Sequence, residues 1–139
     1  MQIRAFEDAD EEAVIALWSR CGLLRPWNDP RKDIARKRSI QRDLFLVGVV
    51  DGVIAATVMA GYEGHRGWIN YLAVDPSLQR RGMGGALMAE AERRLRQLAC
   101  PKINLQIRRD NREAIAFYER IGFREDQVVS FGKRLDPDE

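Results

Sequence analysis

The chain has 139 residues, 45% apolar and 32% charged, with 23 basic against 21 acidic side chains and a net charge of +2. That length suits a single domain over 1–139 with one sizeable core, and the composition excludes a disordered chain. So small and dispersed a charge does not point to nucleic acid, and two cysteines with one histidine fall one short of a four-ligand zinc site.

In chain order, residues 3–6 alternate as a first strand. Asp8 or Asp10 then caps a helix to Arg20, with Val14, Leu17, Trp18 and Cys21 at helical spacing. The N-terminus reaches charge at once, without an apolar leader, and no stretch approaches a membrane span, so the sequence predicts a cytoplasmic protein. Pro26 and Pro30 break the segment 23–30, and Asp29-Pro30 reads as the cap and first position of a second helix. Strands follow at 44–50 and 53–62, joined by the tight-turn pair Asp51-Gly52. A second turn at 63–67 leads into a strand that ends at Val74, before Asp75-Pro76. The remainder reads as a helix at 82–99, a strand at 103–107, a helix at 111–120 and a final strand at 128–135.

The segment Gln79-Arg80-Arg81-Gly82-Met83-Gly84-Gly85 opens the long helix seven residues after a strand. The first amides of a helix have no internal partner and its dipole adds positive charge, so the place suits an anion. Glycines admit a bulky phosphate to the backbone, and two arginines supply fixed charge. No lysine follows the glycines as in a P-loop, and Leu87 stands where a dinucleotide fingerprint needs a third glycine or an alanine.

Gln79-Arg80-Arg81-Gly82-Met83-Gly84 resembles the Q/R-x-x-G-x-G/A signature of the GNAT superfamily of acetyl-CoA-dependent N-acetyltransferases. A second block agrees: Asn111, Ala114, Phe117-Tyr118 and Gly122-Phe123 follow the family's N-x-x-A-x-x-F-Y-x-x-x-G-F pattern. The segments 23–30 and 61–67 further resemble a bacterial subgroup of acetyltransferases. The resemblance implies an α/β (α+β) GNAT fold: a mixed central sheet of about six or seven strands flanked by about four helices. It implies acetyl-CoA as acyl donor and no metal. The amides of Leu72 and Val74, with Ala73 between them, would pair with the pantetheine arm and hold the thioester carbonyl. Gln79, Arg80, Arg81, Gly82, Met83, Gly84 and Gly85 would grip the pyrophosphate, and Asn111 would bond the cofactor arm. Tyr118 matches the general acid, set against a reading as a packed aromatic.

The general base is open. Gln106 occupies the position where some relatives that acetylate protein N-termini carry a glutamate. Glu63 at the end of the third strand, or His65 two residues on, offers a base, and each is set against a reading as an ordinary solvated turn residue. Trp27, Asn28 and Asp29 are the candidate acceptor contacts, a mixture that suits a small cationic or zwitterionic amine, or else a capped turn with a buried tryptophan. The expected reaction is direct acetylation of a small-molecule or peptide amine, with a non-catalytic acyl-CoA-binding module as the alternative. A nucleic-acid surface of Arg31, Lys32, Arg36, Lys37, Arg38 and Arg42 is set against a solvated helix face, which such charges form more often. An exposed final strand leaves room for a homodimer.

Overall fold

The computed structural model describes residues 1–138. Its mixed sheet runs in the order β1 (Gln2–Ala5), β2 (Phe45–Val50), β3 (Val53–Tyr62), β4 (Gly67–Val74), β5 (Ile103–Leu105). The first four are antiparallel neighbours, and β5 joins β4 in parallel. Such a parallel pair needs a helical crossover, supplied by α3 (Met83–Gln97). The other helices are α1 (Glu11–Arg20), α2 (Pro30–Arg38) and α4 (Arg112–Arg120).

Alternation along the strands divides the core. Phe45 and Val47 point to the face where α1 and α2 bring Val14, Leu17, Trp18 and Ile34. Leu44, Leu46, Val58 and Ile69 meet Leu87, Met88, Ala91 and Leu95 of α3 on the opposite face. Phe117 and Tyr118 of α4 pack against the edge of that second cluster. Among the described residues no helix is long and apolar enough to cross a membrane.

Local signals explain the joints. Asp51 and Gly52 both have positive φ, 51° and 76°, as a two-residue hairpin loop requires. Asp29 caps α2 by accepting from the Arg31 amide at 2.9 Å, with Pro30 in the first turn. The N-terminal helix instead starts from a capping box between Glu7 and Asp10, so Asp10 serves the turn that precedes α1.

Two expectations need correction. The sheet has five strands rather than six or seven. The difference is 128–135, which forms no ladder and leaves Val128, Val129, Phe131 and Leu135 exposed. Within it Arg134 bonds Asn28, and beyond it Asp138 bonds the Asp29 amide, so the tail is drawn across to the loop between α1 and α2.

Between β3 and β4 the register slips. Thr57 opposes Ala73 and Met59 opposes Asn70, so one residue of β3 faces two of β4, Tyr71 and Leu72. Tyr71 takes a φ of 52°, unusual for a bulky residue. The bulge is braced on several sides. The Thr57 hydroxyl donates to the Tyr71 carbonyl at 2.9 Å and accepts from the Trp18 indole at 2.9 Å. The Tyr71 ring stacks on Trp18 at 3.8 Å, and its hydroxyl donates to Asp33 of α2 at 2.6 Å.

Candidate active site

The strands β4 and β5 pair only where Gly67, Ile69 and the residue between them meet 103–105. β4 continues five residues further without a partner on that side, so a mouth opens between the strands at their C-terminal ends. Leu72, Ala73 and Val74 lie on this open stretch. Leu72 and Val74 send their side chains to the α3 cluster and Ala73 sends its methyl to the α1 cluster. What faces the mouth is therefore backbone, presenting amides and carbonyls that no strand satisfies.

Beside Val74 stands the start of α3. Asp75 caps a short turn by accepting from Ser77, and the chain then passes through two left-handed residues, Arg80 (φ 66°) and Gly82 (φ 79°). The helix opens with the Ala86 amide bonded to the Gly82 carbonyl at 3.0 Å, leaving the amides of Met83, Gly84 and Gly85 without a backbone acceptor. A Cβ at Gly84 would stand 3.3 Å from the Phe117 ring and 3.7 Å from Val74, so glycine lets helix, strand and α4 close together. A Cβ at Gly85 would meet only open space. Gln79 reaches back to the Val74 carbonyl at 3.5 Å. These are the features of an anion site on backbone amides.

Many of the chain's arginines are paired within the fold. Arg4, Arg20, Arg31, Arg36, Arg38, Arg42, Arg93, Arg94, Arg96 and Arg134 all meet carboxylates. Among the described residues, Arg25, Arg66, Arg120 and Arg124 have no such partner, nor do Arg80 and Arg81 before α3 or Arg108, Arg109 and Arg112 after β5. The last three line an open cavity of about 450 Å³ together with Asp110. Arginines left without carboxylates are available to an anionic group of a ligand.

Asn111 caps α4, its side-chain oxygen accepting from the Ala114 amide at 3.2 Å. That leaves its amide group to donate. Tyr118 packs edge-on between Phe117 and Phe123, with ring centroids 5.0 and 5.5 Å away. Burial pushes its phenol up to about 12, so the group keeps its proton at neutral pH.

The structure does not bring Glu63 to the mouth. It lies in the β3–β4 turn at the paired end of the sheet, where Tyr62 opposes Gly67. Leu72 is five strand residues further, about 16 Å at ~3.3 Å each. The Glu63 carboxylate accepts from the amides of His65 and Arg66, and these bonds hold it below the usual carboxylate range. His65 shares the same turn. Gln106 bonds the Ser130 hydroxyl.

Of the acceptor candidates, only Trp27 stays open, at 48% exposure, with the Arg108 guanidinium 5.9 Å from its ring centroid. Asn28 receives Arg134 on its side-chain oxygen at 2.6 Å, and Asp29 is taken by the α2 cap. The basic residues of α2 and its flank are also engaged. Arg31, Arg36, Arg38 and Arg42 are ion-paired, Lys32 bonds the Asp138 carbonyl, and Lys37 is buried against the Ala60 carbonyl at 2.5 Å. Sequence reasoning passed over Arg108, Arg109 and Arg112. Their spacing beside the recognised Asn111 was the one signal that pointed to them. The Thr57–Tyr71 brace gave no signal at all.

The Acetyltransferase (GNAT) family model matches residues 6–123. An acetyltransferase of Pectobacterium atrosepticum is 49% identical over 138 residues, covering 99% of this chain and 98% of that protein. The ribosomal-protein alanine N-acetyltransferase of Escherichia coli superposes with a TM-score of 0.76 at 28% identity, over 90% of this chain and 78% of that one. An aminoglycoside 6′-N-acetyltransferase of Acinetobacter haemolyticus shares the fold at TM-score 0.74 and 21% identity, over 98% and 100% of the two chains.

Proposed function

Because the chain belongs to the GNAT acetyltransferase family, we propose that it moves an acetyl group from acetyl-CoA to a primary amine by direct attack, with both substrates bound together. The chain is an acetyl-CoA-dependent N-acetyltransferase. The observation that carries the finer reading is the mouth itself: unpaired β4 backbone beside free α3 amides, with a protonated tyrosine packed on the adjoining helix.

In this reading the free amides of 83–85, with Gln79, Arg80 and Arg81, receive the pyrophosphate, and Gly82 shapes the approach. The open backbone of Leu72, Ala73 and Val74 takes the pantetheine arm, and Asn111 adds a donor. Bound acetyl-CoA supplies an activated acyl group as a thioester. The chain's own work is to fix that group, to set amides where negative charge develops on its carbonyl, and to donate a proton to the departing sulfur from Tyr118. Neither cysteine is suited to a covalent route. Burial and Asp75 push the Cys21 thiol up, and Cys100 sits against the Lys102 carbonyl. Attack then uses the unprotonated fraction of the amine, with water accepting its proton, because the Glu63 carboxylate is committed to its own turn. The acceptors named for the two structural relatives, a ribosomal-protein alanine and an aminoglycoside, make a peptide or small-molecule amine the substrate class in view. The exposed 128–135 segment supports self-association into a homodimer, which sedimentation measures directly.

The test is Tyr118→Phe. A general acid contributes roughly 10²–10⁴-fold, so kcat should fall by about 10² or more while CoA affinity by calorimetry is unchanged. Wild-type protein that binds CoA but transfers nothing to any amine would be the acyl-CoA-binding module instead. A ping-pong kinetic pattern would overturn direct attack.

A further inference from the structure

An acid and an amide in the loop between α1 and α2 would suit a cationic amine, but the structure uses both elsewhere. Asp29 is spent on its helix cap and Asn28 on Arg134. Asp33, next along α2, accepts from the Tyr71 hydroxyl and from Arg36. No metal-type cluster of carboxylates stands among the described residues. What remains open on this loop is Trp27, with the Arg108 guanidinium over its ring.

The Arg108 guanidinium lies 5.9 Å from the Trp27 ring centroid, within cation–π range, and such a contact leaves its planar fork of N–H donors free to bond an anion. Arg108 has no carboxylate partner among the described residues, although Asp110 shares its cavity with Arg109 and Arg112. The cofactor does not account for all the available charge. Acetyl-CoA carries about four negative charges, two on the pyrophosphate and up to two on the 3′-phosphate. Arg80, Arg81, Arg109 and Arg112 match that number from the α3 and α4 side. Arg108 is the one whose guanidinium reaches the loop between α1 and α2.

We infer that the acceptor amine also carries a carboxylate, and that Arg108, held over the Trp27 ring, receives it. This rests on the acetyl-transfer reading above and narrows its substrate class to amino acids or peptides with an acidic group near the amine.

The experiment uses matched pairs: α-, β- and γ-amino acids against their carboxamides, with spermidine as a cationic control, followed by CoA thiol release at saturating acetyl-CoA. The acids should exceed their amides by about tenfold or more in kcat/KM. Arg108→Gln should collapse that ratio toward unity through KM, while CoA affinity by calorimetry holds. Arg108→Lys should restore only part of the ratio, because charge returns without the planar bidentate fork. Equal use of acids and amides, a preference for spermidine, or silence toward every carboxylated amine overturns the inference. So does an Arg108→Gln variant that loses CoA rather than acceptor discrimination. Failure of the acetyl-transfer reading looks different: no CoA heat in calorimetry and no acetylation of any amine.

Discussion

Thr57→Val isolates the brace behind the β4 bulge without altering its shape. The substitution removes two hydrogen bonds, from the Trp18 indole and to the Tyr71 carbonyl, each 2.9 Å long. Thr57 and Trp18 are fully buried, so water cannot replace the lost partner of the indole N–H. An orphaned buried donor costs about 1–3 kcal/mol, and the second bond adds about 1 kcal/mol, for a total of about 2–4 kcal/mol. At roughly 2–4 °C per kcal/mol for a domain near this size, Tm should fall by roughly 4–16 °C. Thr57→Ser keeps the hydroxyl and loses one methyl, a cost of about 1 kcal/mol, and serves as the control. The same pair reports on function. The Tyr71 carbonyl fixes the turn that presents the Leu72 amide, and loss of one well-placed donor costs roughly 10²–10³ in kcat, so a loosened one should cost about tenfold. The assay is urea unfolding beside acetyl transfer at saturating substrates. A valine variant as stable and as active as the serine variant would falsify the reasoning.

Replacing Arg80 or Arg81 by Gln should raise the KM for acetyl-CoA about tenfold or more, since a hydrogen bond to a charged group is worth about 1.5–3 kcal/mol. Raising salt should shrink the difference in initial-rate measurements. Gly82→Ala places a side chain at a φ of 79°, which costs about 1–2 kcal/mol in urea unfolding. Because the Tyr118 phenol titrates only near 12, kcat should show no alkaline limb assignable to it below about pH 11, and a limb near pH 9 that Tyr118→Phe abolishes would contradict its burial. Asp138 is held at about 2 by Arg36 and the Asp29 amide. Its contribution is thus present above the ordinary carboxylate pKa of ~3.9 and is lost as pH falls through about 2. The gap in urea midpoint between wild type and Asp138→Ala should close over that interval.

Much of this was readable from the chain because the signals were local. The ends of β3, the Asp51-Gly52 hairpin, the Asp29-Pro30 cap and the glycines that open α3 each follow from two or three neighbouring residues. What escaped depends on partners distant in sequence. The alternation at 128–135 fits a strand, but a strand exists only where another edge bonds to it, and composition does not state which edge is open. Asn28 and Asp29 looked free to bind a substrate until Arg134 and Asp138, more than a hundred residues away, proved to sit on that loop. Glu63 has the right chemistry for a base and lies at the wrong end of the sheet. Tyr71 offers no hint in its surroundings that its φ is positive, because the bulge arises from three packed elements together.

The arginines at the mouth have a consequence for the protein's life in a cell. A polyanion that pairs with these arginines binds the folded chain and not the unfolded one. Coenzyme A at a hundred times its Kd would add about 2.7 kcal/mol to stability by mass action. Folded lifetime is thereby tied to the supply of the donor. A cell depleted of acetyl-CoA and free CoA would lose the enzyme to unfolding and proteolysis as well as losing its reaction.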